Sequence, residues 1–148
     1  YKRQLYTEVI MELLKEVIKN LNVGVNAIDD IMCNVRDCEL KDTICSQKKN
    51  MLDLLHRATE ELGEHAAEKN GTEPDGLEKI MLKSAVKIKS GFDKSSTNIA
   101  EMLIEGNNMG INDVVRVSHR LDGKESTPFV GEMIDLYDAN IKELRRFL

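Results

Sequence analysis

The chain has 148 residues, of which 41% are hydrophobic, 32% charged and 4% aromatic, and its formal net charge is −5. This length fits one domain with a sizeable core, whereas the negative charge argues against nucleic-acid binding, which needs a basic surface. No stretch approaches the roughly 18 uncharged apolar residues of a membrane span, and 2 Pro and 9 Gly give few turn signals for a β-sandwich.

The first half of the chain has the apolar period of two long amphipathic helices. Apolar residues recur at steps of three and four from Tyr6 to Val35 and again from Leu40 to Leu62. A short break separates the two segments, and Asp37 is a plausible N-cap for the second helix. The sequence therefore predicts two helices joined by a tight turn.

Residues 70–94 divide the two halves. Residues 70–76 are the clearest loop, and Asp75 with Glu78 resembles a capping box that opens a short helix ending near Gly91. The basic face of that helix consists of Lys79, Lys83, Lys87 and Lys89. We expect its apolar face to dock on the domain, with binding to acidic lipid or an acidic partner as the alternative.

The second half repeats the arrangement of the first. A third apolar stripe runs from Ile99 to Leu121, residues 122–123 are the next turn, and Thr127-Pro128 is typical of a helix start. The last stripe runs from Phe129 to Phe147. Short turns within each half predict antiparallel hairpins over residues 1–69 and 95–148, and the long connection can travel the whole bundle. We expect a single all-α domain over residues 1–148, a four-helix bundle of two hairpins joined by a crossover.

Short matching motifs indicate an internal duplication. Residues 22–26 (NVGVN) match residues 108–112 (NMGIN) at an offset of 86, and residues 51–54 (MLDL) match residues 133–136 (MIDL) at an offset of 82. The difference of four positions is close to one helical turn. A second hairpin one turn shorter would therefore keep its faces in phase.

Three glycines fall on or near the predicted buried faces. Gly24 and Gly110 occupy the same place in the matching motifs, and Gly106 lies one turn from Gly110. We expect these glycines to let the first and third helices approach closely. The alternative is ordinary helix-interior glycines, each costing up to about 1 kcal/mol relative to alanine.

A resemblance to a known family rests on the duplicated hairpin with its long crossover and on three short stretches. These are residues 92–95 (FDKS), 99–102 (IAEM) and 109–111 (MGI). The chain resembles the ferritin-like superfamily, which includes rubrerythrins and bacterioferritins. It looks closest to small uncharacterised ferritin-like bundles of anaerobic Gram-positive bacteria. This resemblance covers nearly the whole chain and rests on packing patterns rather than on catalytic signatures.

The resemblance implies a di-iron site made of inward Glu and Glu-x-x-His residues, and the sequence departs from that pattern. Asp53 and His56 in the second helix have only Asp135 and Asp138 as counterparts in the fourth. Counted from Met51 at the centre of the buried face, Asp53 lies about 200° and His56 about 140° around the helix, which predicts that both face solvent. We expect no catalytic residue, no cofactor and no intact metal site; if a metal binds, these four residues are the candidates.

The other residues with chemical potential have structural interpretations. His56 and His65 lie on opposite sides of one helix, and His119 lies off the apolar stripe, so we expect three solvated histidines. The cysteines are Cys33, Cys38 and Cys45. With no C-x-x-C among them, we expect reduced, buried or half-buried thiols in a cytoplasmic protein, with a redox or metal role as the alternative. The chain begins at Tyr1 rather than Met. We therefore expect that the true start is missing, and removal of a signal peptide is an alternative that the sequence leaves open.

Three amides, Asn20, Gln47 and Asn140, fall on otherwise apolar faces. Buried amides need hydrogen-bond partners. They therefore predict a polar layer that fixes the register of the helices, or alternatively the lining of a small ligand pocket.

Three functional hypotheses follow. The leading one is a non-catalytic ferritin-like bundle that acts through self-association as a homodimer or by binding an unknown protein partner. The second is a divergent di-iron or di-manganese oxidoreductase, and its possible ligands are Asp29, Asp30, Asp53, His56, Asp113 and Asp135. The third is a bundle that binds a small ligand between its hairpins.

Overall fold

The structure is a computed structural model that describes residues 2–70, 93–121 and 127–148. Within these ranges it is all-helical, without a strand. The helices are α1 (Lys2–Met32), α2 (Cys38–Asn70), α3 (Ser96–Arg120) and α4 (Pro128–Leu144), followed by a 3₁₀ turn at Arg145–Phe147. The predicted short helix with its lysines and the predicted turn at residues 122–123 lie outside the described residues.

Side-chain caps fix where three of the helices begin. The backbone N–H of Leu40 donates to Asp37 Oδ1 at 2.9 Å, and that of Phe129 donates to Thr127 Oγ1 at 3.3 Å, which confirms both predicted caps. Ser95 caps α3 in the same way by accepting from the N–H of Asn98 at 3.2 Å. Each such cap is worth about 1 kcal/mol.

A continuous apolar core runs between the four helices. α1 packs against α2 and α3, and α4 packs against the same two helices, so the four form a helical bundle. The largest side chains that are fully buried include Leu13, Leu14, Ile18, Leu21, Leu40, Ile44, Leu62, Ile99, Met133 and Leu144. Each contributes about 1.5–3 kcal/mol by leaving water.

Ion pairs on the surface link neighbouring helices. Lys48 on α2 pairs with Asp29 on α1, and Arg120 on α3 pairs with Glu12 on α1 at 2.7 Å. All four side chains are partly exposed. Exposed pairs of this kind contribute little stability, so the packing of the apolar faces holds the fold together.

Candidate functional site

A cleft of about 260 Å³ lies among the four helices. Its floor includes the buried Gln47 and Met51 of α2 and the buried Tyr137 and Asn140 of α4. Residues of α1 and α3 form the walls, and most of the lining surface is apolar. The cleft combines an apolar body with a few polar groups at its buried end.

Polar groups of the floor and of one wall form a chain of amide hydrogen bonds across three helices. Gln47 Nε2 donates to the main-chain oxygen of Asn140 at 3.3 Å. Asn140 Nδ2 in turn donates to Asn107 Oδ1 at 3.2 Å, and Asn107 Nδ2 donates to the main-chain oxygen of Leu103 at 2.7 Å. Because every link joins uncharged groups, the chain positions amides at the cleft without placing a charge there.

Asn20 brings a third buried amide to the cleft from α1. Its Nδ2 donates to the main-chain oxygen of Glu16 at 3.0 Å and to Glu16 Oε1 at 2.9 Å. Its Oδ1 lies 3.4 Å from the position that a Cβ on Gly110 would occupy, so it faces α3. The three amides that interrupt the apolar stripes are therefore all buried, and all three line the cleft.

Tyr137 occupies the centre of the bundle between two glycines. Its hydroxyl lies 3.2 Å from the position of a Cβ on Gly24. Its Cε2 lies 2.5 Å from the position of a Cβ on Gly110, a distance that real Cβ atoms essentially never show. The lack of side chains at Gly24 on α1 and Gly110 on α3 thus admits the tyrosine ring from α4.

The two glycines have equivalent packing partners in the two halves. A Cβ on Gly24 would lie 2.5 Å from Met51 Cε, just as one on Gly110 would lie 2.5 Å from the ring of Tyr137. Gly110 follows Gly24 by the same number of positions as Tyr137 follows Met51. The packing therefore pairs Met51 with Tyr137, whereas the sequence motifs pair Met51 with Met133.

Gly106 differs from the other two glycines. It lines the cleft, is exposed, and a Cβ added to it would meet no atom within 4 Å. No close contact requires a glycine there, so a larger side chain at this position would extend into open space at the cleft.

The cleft is electrically neutral at its floor. Among the lining residues in the described part of the chain, only Asp113 carries a charge; its side chain is 46% exposed and pairs with Arg116 at 2.9 Å. Burial raises the pKa of the Tyr137 phenol well above its ordinary value, because the phenolate would lose its hydration. The tyrosine therefore stays neutral throughout the physiological pH range.

The sequence-derived metal candidates lie away from the cleft. Asp53 and His56 are exposed, as their positions around the helix predict, and pair with Arg57 and Glu60 at 3.2 Å. Asp135 and Asp138 are also exposed, and none of the four residues lines the cleft. Over residues 2–70, 93–121 and 127–148, no group of three or more His, Cys, Asp or Glu side chains could hold a metal ion.

The additional ligands considered for an oxidoreductase are also dispersed. Asp29 pairs with Lys48, Asp30 is exposed, and Asp113 lies at the cleft beside Arg116. Of the three histidines expected to be solvated, His56 and His119 are exposed, whereas His65 is half-buried and contacts Glu61 at 3.3 Å, so the expectation is wrong for His65.

The prediction of buried or half-buried thiols is wrong. Cys33, Cys38 and Cys45 are all free and exposed. Cys33 and Cys38 flank the turn between α1 and α2, where the apolar stripe ends. Cys45 follows the buried Ile44 and is therefore rotated about 100° away from the core.

No family model, curated protein or solved structure matches this chain. Across the described residues, no helix combines the length and the apolar character needed to cross a membrane.

Proposed function

We propose that this protein is a ferritin-like helical bundle that binds a small, largely apolar molecule in the cleft among its four helices. The observation that carries the proposal is an apolar cleft with the buried amides of Gln47, Asn140 and Asn20 at its inner end. Ligand sites commonly combine an apolar lining with a few convergent polar groups, and the space between the helices of a bundle is a frequent location.

The volume of the cleft indicates the size of the molecule. Apolar cavities of about 150 Å³ in a protein core bind benzene. A cleft of about 260 Å³ accordingly suits a ligand of about ten non-hydrogen atoms. The lining offers apolar groups and amide hydrogen bonds, which suit recognition of a ligand rather than transfer of a proton or an electron.

The ferritin-like part of the proposal is supported by the directions of the helices. Asp29 late in α1 pairs with Lys48 early in α2, while the earlier Gly24 lies against the later Met51. Contacts in which one residue number rises as the other falls indicate antiparallel neighbours. α1 and α2 thus form an antiparallel hairpin.

The contacts between α1 and α3 follow the same rule. Glu12 pairs with Arg120, whereas the later Asn20 lies against the earlier Gly110. Both α2 and α3 therefore run opposite to α1 and parallel to each other. A connection between two parallel helices joins opposite ends of a bundle, which is the crossover arrangement of ferritin-like folds.

The binding proposal is tested by filling the cleft at a position that tolerates a side chain. Gly106→Leu adds apolar volume where a Cβ meets nothing within 4 Å. Replacing a glycine within a helix also stabilises the fold by up to about 1 kcal/mol. The control is Gly63→Leu on α2, a helical glycine with the same open surroundings that does not line the cleft.

The probe is 2-naphthol, an uncharged molecule of suitable size whose fluorescence reports its environment. We expect the wild-type protein to bind it with a dissociation constant of about 10–100 µM. Gly106→Leu should weaken binding at least about tenfold, while Gly63→Leu changes it less than about twofold. Equal affinity in the wild type and Gly106→Leu, or no binding to the wild type, would overturn the proposal.

Self-association is the second candidate function. Val23 on α1 and Met109 on α3 both line the cleft and are 42% and 65% exposed. Such an apolar rim suits contact with a second copy of the chain. Sedimentation velocity of the wild type, Met109→Glu and the control Leu52→Glu tests this, since Leu52 is an exposed apolar residue on α2 away from the cleft. If the chain forms a homodimer through this rim, Met109→Glu should be monomeric while the wild type and Leu52→Glu stay dimeric. A wild type that sediments as a monomer would rule out self-association.

A further inference from the structure

We infer that the cleft selects a ligand with an uncharged, hydrogen-bonding end group, of the primary amide or alcohol class, and discriminates against a carboxylate of the same size. This inference rests on the proposed binding function and adds the chemical class of the ligand.

The first supporting observation is the chemistry of the floor. Gln47 is 2% exposed and Asn140 is 1% exposed, so protein atoms cover both amides almost entirely, and a ligand end group meets them only at the small polar part of the cleft lining. Carboxamides carry both hydrogen-bond donors and acceptors. An end group that itself carries a donor and an acceptor, such as a primary amide, is the natural complement to these side chains.

The second observation is the distribution of charge around the cleft. Among the described residues that line it, no side chain is cationic, and the single charged one is Asp113. The nearest partner of Asp113, Arg116, has a 74% exposed side chain and does not line the cleft. A carboxylate held against the amides would thus be buried without a cation, with a negative charge at the same cleft.

Burial of an unpaired charge is far more costly than burial of a neutral polar group that finds hydrogen-bond partners. A primary amide and a carboxylate have almost the same shape and size, so they differ here chiefly in charge. The cleft therefore discriminates by electrostatics rather than by fit.

Isothermal titration calorimetry at pH 7.5 with octanamide and octanoate tests this directly, because each has about ten non-hydrogen atoms, the size that the cleft suits. We expect the wild-type protein to bind octanamide at least about 100-fold more tightly than octanoate. Octanoate binding as tight as octanamide, or tighter, would overturn the inference and leave the binding function in place. Failure of the wild type to bind 2-naphthol would instead overturn the binding function itself, and binding of 2-naphthol without binding of octanamide would overturn the inference alone.

A charge-swap variant provides the second measurement. Asn107 lines the cleft and is half-buried, so a lysine there can extend its ammonium group toward the ligand while keeping it partly hydrated. Asn107→Lys should raise the affinity for octanoate at least about tenfold. The control Asn108→Lys places the same charge on the exposed neighbouring residue, which does not line the cleft, and should leave the affinity unchanged. An equal gain in both variants would show a general surface effect and contradict the inference.

Discussion

The hydroxyl of Tyr137 donates a hydrogen bond to the main-chain oxygen of Asn20 at 3.1 Å, joining α4 to α1 through the interior of the bundle. In a regular helix this carbonyl already accepts from the N–H four residues later, which belongs to Gly24. A Cβ on Gly24 would lie 3.2 Å from the tyrosine hydroxyl. The glycine therefore leaves the carbonyl accessible to a second donor, and the tyrosine fixes the position of α4 beside the cleft.

Removing this hydroxyl should weaken the fold without changing its shape. Tyr137→Phe keeps the ring between the two glycines but loses the hydrogen bond to Asn20. We expect the free energy of unfolding to fall by about 0.5–1.5 kcal/mol, because the Asn20 carbonyl retains its partner within the helix. Urea denaturation followed by circular dichroism measures this. A loss above about 3 kcal/mol would mean that the ring itself had moved.

The same residue should make the protein sensitive to alkali. The ordinary pKa of tyrosine is 10.0 and burial raises that of Tyr137 in the folded state, so the folded protein holds the phenolic proton more tightly than the unfolded chain does. This contribution to stability is complete below about pH 10, and it is lost as the pH rises from the unfolded pKa through the folded one.

Above about pH 10, the contribution of Tyr137 to the free energy of unfolding of the wild type should fall by about 1.4 kcal/mol per pH unit. Tyr137→Phe is the control, because lysines and other tyrosines titrate in both proteins and cancel in the comparison. The free energies of unfolding of the two proteins should therefore converge or cross above about pH 10. If the difference in the free energy of unfolding between the wild type and Tyr137→Phe stays constant with pH, Tyr137 does not hold its proton more tightly in the folded protein than in the unfolded chain.

The three glycines of the cleft should respond differently to alanine. In Gly110→Ala the added methyl group would lie 2.5 Å from the Tyr137 ring, and overpacking of this kind costs about 1–3 kcal/mol. Gly24→Ala should cost less, because its close neighbour is the terminal methyl group of Met51, which can rotate away. Gly106→Ala should raise the free energy of unfolding by up to about 1 kcal/mol. Equal values for Gly106→Ala and Gly110→Ala in urea denaturation would contradict the packing around Tyr137.

Metal analysis should distinguish a ligand-binding bundle from a divergent oxidoreductase. We expect protein purified after growth with iron, manganese and zinc to contain well below one metal atom per chain by mass spectrometry. His56→Ala should leave that content unchanged, since His56 is exposed and contacts Glu60. About two iron or manganese atoms per chain, the content of a di-iron or di-manganese site, would favour the oxidoreductase.

Much of the fold was predictable from the period of the apolar residues. Asp37 and Thr127 mark helix starts in the sequence, because a cap needs only a short polar side chain placed just before an apolar-periodic segment. The burial of Asn20, Gln47 and Asn140 was predictable for a related reason. An amide that stands where the helical period would place an apolar residue lies on the same buried face of the helix as the apolar residues.

The cleft itself was not predictable in the same way. Whether Gln47 meets Asn140, or Asn140 meets Asn107, depends on the axial register of separate helices. A shift of one turn, about 5.4 Å, would separate these residues without altering any local pattern. The fit of Tyr137 between Gly24 and Gly110 depends on the same register.

The cysteines show a second limit of the sequence patterns. Cys residues are on average among the most buried, yet Cys45 lies one residue past the stripe position of Ile44 and is exposed. The position of Cys45 around the helix, rather than its residue type, determines that its side chain is exposed. The same rotation correctly placed Asp53 and His56 on the outside.

Nuclear magnetic resonance can locate a bound ligand on the chain itself. In a ¹⁵N heteronuclear titration with octanamide, we expect the side-chain amide signals of Gln47 and Asn140 and the backbone signals of Gly106 and Gly110 to shift together and saturate. The signals of Gly63 and Gly131, which lie outside the cleft, should stay in place. Shifts that map elsewhere would contradict a ligand site among the four helices, and an absence of shifts at millimolar octanamide would contradict the preference for an amide end group.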